Sequence, residues 1–310
     1  MRIALFHNPK AGNGTFKISD LVQRIESDGH RVLYVSIKEK DWHQAFGKPI
    51  DRAIIAGGDG SVSRLAPWLA ARAVPFCVLP LGTANNCARN LDQIHGPEEI
   101  IANINSTKTK KIDLGLVTSP AGHRFFVESA GVGLLPRFMS EMRSLQKKNG
   151  SKFRTVARDR LADAMKYLGS MAKETLKFED EVLLDGEIMG GEFLLFEIAN
   201  IGSIGPGLDL APTADPSDGF LDAVWVKNEH RREWLNYLKH LRTDTRVSAP
   251  VERRRCRQIT FRQSKVPLHV DGKVFEEMAT PCCVTLYPGA LELVDFEDTA
   301  TASAIRPPSS

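Results

Sequence analysis

The sequence predicts an N-terminal parallel α/β nucleotide-binding domain followed by an antiparallel β-sandwich that carries inserted helices. Three observations predict it. In the first third, short apolar strands alternate with helical patterns, the mark of a parallel sheet. Turns containing glycine close the first, third and fourth strands, and parallel sheets bind ligands beyond those carboxyl ends. After Ile112-Asp113-Leu114-Gly115, strand-like runs follow one another across turns, as in a sandwich.

The strands of the first part are expected at Arg2–Phe6, Arg31–Ser36, Arg52–Ala56 and Phe76–Leu79. Helical spacing of apolar residues at Ile18–Ile25 and Val62–Ala70 fills the gaps between them. Later strands are expected at Arg124–Ser129, Thr175–Leu184, Glu192–Asn200, Phe220–Val226, Gln258–Phe261, Pro267–Val270, Cys283–Leu286 and Ala290–Val294. Two helical stripes interrupt them, one of Leu134, Leu135, Phe138, Met139, Met142 and Leu145, the other of Leu161, Met165 and Leu168. A third helix is expected over Arg231–His240. The small, polar, proline-containing end reads as a disordered tail. The resulting division is 1–115, 116–296 and 297–310.

A chain of 310 residues exceeds one average domain, in keeping with two domains around a cleft. With 42% apolar and 25% charged residues it has material for a sizeable core, which excludes a disordered or fibrous protein. A net charge of +3 points to no particular partner, and nucleic acid is not expected. Cys77, Cys87, Cys256, Cys282 and Cys283 are odd in number and lack CxxC spacing, so reduced thiols and a cytoplasmic setting are expected. The opening MRIALFHNPK has no signal-peptide pattern, and no apolar run reaches the ~20 residues of a membrane span. Any membrane contact is then peripheral, at the inner membrane face. The oligomeric state stays open, a homodimer among the options.

The motif AIIAGGDGS at 53–61 carries most of the functional signal. Gly57, Gly58 and Gly60 let a phosphate chain approach the backbone, Ser61 adds a hydroxyl, and Asp59 suits a cation or the orientation of phosphates. A bare backbone bend is the alternative. The turn after the first strand, with Asn8, Lys10, Gly12, Asn13 and Gly14, offers amides and a point charge. The third turn holds Thr83 and Asn85, which suit a phosphate or ribose or else cap the helix 84–91. DPSDGFLD at 215–222 gathers acids that suit a hard cation, although on turn chemistry alone a plain Asp-Gly turn is the favoured reading. HVDGK at 269–273 reads as a hairpin or as a second acidic turn. The basic runs are Arg253–Arg257 and Lys147, Lys148, Lys152, Arg154, Arg158 and Arg160. They read as solvated faces, or, beside the Leu134–Leu145 stripe, as a seat for anionic lipid. No zinc spacing is present.

NPKAGNG at 8–14, GGDGS at 57–61, LPLGTANN at 79–86, DLG at 113–115, DPSDGFLD and HVDGK together resemble the diacylglycerol kinase catalytic-domain superfamily, in its bacterial soluble branch. That family shares a nucleotide-binding core with sphingosine kinases, NAD kinases and phosphofructokinases. The resemblance covers roughly Met1 to Val294. It implies ATP bound between the two domains and a lipid hydroxyl attacking the γ-phosphate. By position, Asn8, Lys10, Ser36, Gly57, Gly58, Asp59, Gly60, Ser61, Thr83 and Asn85 are implied nucleotide contacts. Asp215, Asp218 and the Phe220 carbonyl are implied ligands of a structural Mg2+.

The expected activity is therefore transfer of the ATP γ-phosphate to a diacylglycerol-like or sphingoid-like lipid. That lipid would enter between the sandwich and the helices at 134–145 and 161–168. The alternative is a catalytically silent nucleotide- or lipid-binding homologue. It is motivated by three departures from the family pattern: Arg64 where a glutamate is usual, Asn86 in place of an aspartate, and Lys273 in place of the glutamate of the (V/L)DGE turn. Asp59 and Asp271 are the acids expected to serve catalysis, with Lys273 neutralising phosphate charge. NAD kinase is a third reading, disfavoured by LGTAN and the 215–222 segment.

Overall fold

Alternating apolar residues in the first strands supply both faces of a sheet, and helices cover each face. The computed structural model describes residues 1–12, 17–149, 157–174, 177–205, 208–242, 247–263, 266–277 and 279–296. Strands β1 (Arg2–His7), β2 (Arg31–Ser36), β3 (Arg52–Gly57) and β4 (Phe76–Pro80) are parallel and lie in the order β4-β3-β1-β2. Successive side chains of a strand point to opposite faces. Ile3 and Leu5 accordingly pack with Leu21 and Ile25 of helix α1 (Ile18–Ser27), while Ala4 and Phe6 pack with Val62, Leu65 and Leu69 of α2 (Asp59–Arg72). Full burial of side chains of this size contributes about 1.5–3 kcal/mol each relative to exposure. Short helices α3 (Asn86–Asn90) and α4 (Pro97–Asn103) complete this lobe.

The second lobe is antiparallel and continuous with the first. Strand β5 (Thr109–Ser119) pairs with β6 (Gly122–Phe126) and with the last strand, β17 (Cys282–Val294). β17 touches β4 through Leu293 and Phe76, and its ladder with β5 is irregular between Tyr287 and Leu291. The boundary read at residue 115 thus falls inside β5, where the change from one lobe to the other occurs along a single strand. The runs expected at 283–286 and 290–294 are one strand for the same reason. The run expected over Arg124–Ser129 is two strands, β6 and β7 (Ser129–Gly133), separated at Val127 and Glu128.

Strands β8 (Phe178–Leu184), β9 (Glu187–Ala199), β12 (Leu221–Lys227), β13 (Glu252–Cys256), β14 (Ile259–Phe261), β15 (Leu268–Val270) and β16 (Lys273–Phe275) build the sandwich, and β10 (Ser203–Ile204) pairs with β11 (Leu208–Asp209). Its interior holds Phe196, Trp225 and Phe261. Alternate residues Val224 and Val226 point the other way, onto Leu134, Leu135 and Phe138 of α5 (Leu134–Asn149), Met165 and Leu168 of α6 (Ala157–Glu174), and Trp234 of α7 (Arg231–Arg242). The basic run at 253–257 contributes to β13, which sequence periodicity did not reveal because arginines are rare strand markers. Among the described residues no helix is long and apolar enough to cross a membrane. The expected tail at 297–310 lies outside the described residues.

Candidate active site

Three of the strand-end turns are joined by backbone hydrogen bonds. Asn8 N donates to Ala56 O at 2.9 Å, Leu81 N to Gly57 O at 2.9 Å and Gly12 N to Leu81 O at 2.8 Å. Glycine is required where they meet. A Cβ on Gly58 would stand 2.8 Å from the Gly82 Cα, and one on Gly82 would stand 2.6 Å from the Gly58 Cα. The two turns therefore meet backbone to backbone. Asn85 locks the pair: in the left-handed region at φ 51°, it accepts from Gly82 N at 2.8 Å and donates to Gly82 O at 3.1 Å. Its amide is thus spent on the turn that the sequence assigned it to serve. Thr83 is exposed, and Lys10 is exposed beside Asn8, whose Oδ1 accepts from Lys10 N. Ser36 ends β2 opposite His7. Asn13 and Gly14 of the first turn lie outside the described residues.

Helix α2 begins at this junction, with Gly58 extended before it at φ −107°. Ser61 N and Val62 N return to Gly58 O. The N–H groups of Asp59 and Gly60 have no backbone partner among the described residues, as expected for a first helical turn. Ser61 is 2% exposed and its Oγ has no hydrogen-bond partner among the described residues. Asp59 Oδ1 accepts from Cys87 N at 2.9 Å, and the Cys87 thiol also hydrogen-bonds to the Asp59 carboxylate, which ties the start of α2 to α3.

A second carboxylate, Glu128, lies behind Asp59. Sequence reasoning missed it, although an acid inside the apolar run FFVESAGV was the available signal. It is 8% exposed and its Oε1 accepts from Asn86 Nδ2 at 2.5 Å. Burial, and then the nearby Asp59 and Asp271 charges, push Glu128 well above the usual carboxylate range. The same three acids act with burial on the Cys87 thiol and raise it.

Asp271 has a different setting from the one its sequence position suggests. Its Oδ1 accepts from Glu128 N at 2.9 Å and Ser129 N at 3.1 Å, its Oδ2 from Val127 N at 2.9 Å, and the Ser63 hydroxyl donates to it as well. Burial raises its pKa against these bonds. The carboxylate clasps α2 of one lobe to the β6–β7 bend and the β15–β16 turn of the other. Beneath that turn, His269 and Glu197 are both fully buried and paired at 2.8 Å. Gly131 leaves the room they need, since a Cβ there would lie 1.9 Å from Glu197 Oε1.

Residues 2–117 match the family model described as the diacylglycerol kinase catalytic domain, and residues 152–295 match the YegS C-terminal NAD kinase beta sandwich-like domain. The chain belongs to the diacylglycerol kinase catalytic-domain superfamily. It is 26% identical over 248 residues to a diacylglycerol kinase of Bacillus subtilis, covering 76% of each chain. It is 23% identical over 282 residues to one of Mycobacterium tuberculosis, covering 89% of this chain and 84% of the other. Its fold is similar to that of a diacylglycerol kinase from Bacillus anthracis, with a TM-score of 0.66, 18% identity and coverage of 96% and 97%. An NAD kinase from Archaeoglobus fulgidus solved in complex with ATP gives a TM-score of 0.55 at 14% identity, over 99% and 100% of the two chains. The two-lobed, NAD kinase-like fold expected from the sequence is the observed one.

Against this lipid kinase family, two of the three departures are exposed and lie on aromatic rings. Arg64 is exposed on α2 with its guanidinium 4.8 Å from the Trp42 ring centroid. Lys273 is exposed on β16, its ammonium 5.3 Å from the Phe275 ring centroid. The third, Asn86, is the donor to Glu128.

Of the residues implied as magnesium ligands, both carboxylates are already engaged within the chain. Asp218 Oδ1 accepts from Phe220 N at 2.9 Å and its Oδ2 from the Arg255 guanidinium at 2.5 Å. Asp215 Oδ1 accepts from both Ser217 N and Ser217 Oγ.

Acyl-chain entry is expected between the sandwich and the inserted helices, and a cleft lies there. Leu134, Leu135, Phe138, Met165 and Leu168 are buried in the protein's own core. The open cleft of about 350 Å³ between α5, α6 and the β15–β16 region is lined by Arg137, Glu141, Met171, Glu174 and Glu276. Those helices use their apolar faces to cover β9 and β12, which leaves a mixed lining at the cleft, with Met171 and Pro267 beside the charged residues. The basic side chains at 147–160 and the Leu161 side chain lie outside the described residues.

Proposed function

We propose that this chain is an ATP-dependent lipid kinase that transfers the γ-phosphoryl group of ATP to the hydroxyl of a diacylglycerol-like lipid. The observation that carries the reading is the meeting of three glycine turns at the start of α2. There, unpartnered N–H groups, the buried orphan Ser61 Oγ and the Lys10 side chain surround one end of a parallel sheet. Backbone amides and a helix N-terminus favour a phosphate chain at such a place. Membership of the kinase family supports phosphoryl transfer, and the relatives' names support diacylglycerol as acceptor.

In this reading Asn8, Lys10, Ser36, Gly57, Gly58, Asp59, Gly60, Ser61 and Thr83 bound the nucleotide site, with Asn85 setting the shape of the third turn. Phosphoryl transfer passes through a loose transition state in most analyses, so positioning and charge neutralisation dominate. Magnesium would enter as part of the nucleotide substrate and neutralise phosphate charge. Asp59, half-exposed at the start of α2, takes the proton of the attacking lipid hydroxyl. Glu128, which burial first and then the neighbouring acids raise well above the usual carboxylate range, stands beside it as a buried acid. Asp271, with its oxygens engaged by backbone donors, is a positioning residue. The acceptor resides in a membrane, so the protein works peripherally at a lipid surface.

A second reading, a catalytically silent binding homologue, draws on Lys273, which stands in the usual glutamate position and faces Phe275. One experiment separates the two. Labelled γ-phosphate from ATP is followed onto diacylglycerol, monoacylglycerol, ceramide, sphingosine and NAD, with wild type and Lys273→Glu. A phosphorylated lipid from wild type is expected, with Lys273→Glu changing the rate by less than about tenfold. ATP-dependent thermal stabilisation without product, together with gain of activity in Lys273→Glu, would establish the silent reading.

A further inference from the structure

The turn 215–220 is packed onto the junction of the two lobes. Asp113, on β5 where that strand passes from one lobe to the other, accepts from Gly219 N at 2.8 Å and Gly289 N at 2.7 Å, and its own N–H donates to Pro216 O at 2.7 Å. Three carboxylates, Asp113, Asp215 and Asp218, therefore approach one loop, and a cation is needed to balance them.

The chain brings its own. β13 pairs antiparallel with β12, with Arg255 opposite Asp222. Residues two apart on a strand share a face, so Arg253 and Arg255 reach the same side. Arg253 binds Asp222 at 2.6 Å and Arg255 binds Asp218 Oδ2 at 2.5 Å, while Arg254, on the opposite face, pairs with Glu187 at 2.7 Å. The Arg255 guanidinium also lies 4.5 Å from the Phe220 ring centroid, and that of Arg257 lies at the same distance. Arg255 thus holds the Asp218 carboxylate and the Phe220 ring, on two of the three residues that family resemblance makes metal ligands. Lys110 and Arg255 both act electrostatically on Asp215.

We propose that the guanidinium of Arg255 is the resident cation of the 215–220 turn, so that this chain closes its interlobe junction without the structural divalent ion that the family resemblance implies. The charges support the assignment. Asp113, Asp215, Asp218 and Asp222 are matched by Lys110, Arg253, Arg255 and Arg257, and a divalent ion would add two positive charges to a balanced cluster. It would also have to displace Arg255 from Asp218 Oδ2 to gain the close oxygen contacts that magnesium demands. A lone half-exposed ion pair is worth little; here the guanidinium is fixed a second time by the Phe220 ring, and cation–π contact of this kind adds to the pair.

The test uses the full chain without nucleotide, dialysed against a chelator, and reads thermal unfolding with and without millimolar MgCl2 or CaCl2. Wild type is expected to unfold at the same temperature in all three buffers. Arg255→Ala is expected to unfold roughly 2–4 °C lower, and either ion is expected to restore the loss by entering the vacated position. If Arg255→Ala does not fold, Arg255→Lys, which keeps the charge, is expected to fold and to ignore both ions. The proposal is overturned if wild type is stabilised by an ion and Asp218→Asn abolishes that effect. It is equally overturned if Arg255→Ala matches wild type in stability and shows no ion response. Neither readout depends on whether the chain transfers phosphate.

Discussion

Asn86 donates its side-chain amide to Glu128 Oε1 at 2.5 Å, and the two residues are 1% and 8% exposed. The amide that replaces the usual family aspartate is thereby the partner of a buried acid, and an aspartate there would face Glu128 with like charge. Asn86 also donates to Gly205 O and accepts from Arg89, so it ties α3 to the β6–β7 bend and to the end of β10.

The pH dependence of stability follows from Glu128. Burial first, then Asp59 and Asp271, raise its folded pKa above the unfolded value. The protonated carboxyl is the form the fold prefers, so its contribution is complete below the unfolded pKa and is lost as pH rises through the folded pKa. Glu128→Gln carries no such titration. The variant should gain stability relative to wild type as pH rises from about 5 to about 9, read from urea unfolding at several pH values; parallel curves would refute it. Phosphoryl transfer should fall by less than the ~10²-fold that loss of a general base costs.

Asp59 should behave oppositely. Asp59→Asn retains an oxygen to accept from Cys87 N, so the fold and ATP binding should persist. Turnover should drop by ~10²–10⁴-fold, measured as kcat on the best lipid of the panel. Activity within a few-fold of wild type would remove Asp59 from the reaction.

Contact between the second and third glycine turns gives a steric prediction. Gly58→Ala places a methyl 2.8 Å from the Gly82 Cα, where no flexible side chain can yield. A loss of about 1–3 kcal/mol is expected, with weaker ATP-dependent thermal stabilisation. Gly60→Ala is the control, since nothing lies within 4 Å of its Cβ, and it should stay close to wild type in stability.

Asp271→Asn should unfasten the lobes without touching the nucleotide turns. An amide presents one oxygen, whereas Val127 N, Glu128 N and Ser129 N donate to two. A buried N–H left without an acceptor costs about 1–3 kcal/mol, and denaturant unfolding measures it. Unchanged stability would show that the clasp carries no energy.

The parallel lobe was legible because its signals are local. Arg31–Ser36 spans the predicted residues, and β1, β3 and β4 each extend one residue beyond them, since apolar runs bounded by glycine or polar turns need no distant partner to be recognised. The glycine turns at 57–60 and 81–82 were legible for the same reason. Less visible were β13, an arginine run made a strand by its ladder with β12, and Glu128, whose role depends on residues 42 positions away.

By itself, then, the sequence determined the alternation of strand and helix, the family, and the three turns that end β1, β3 and β4. These rest on short-range spacing and backbone freedom. Tertiary structure alone decided which acids are engaged and which are free. Asp271 is held by N–H groups 142–144 residues away, Asp218 by Arg255 37 residues on, and the apolar stripe of α5 by the sheet beneath it. A side chain's charge state and availability are set by what surrounds it in space, and only folding brings those neighbours together.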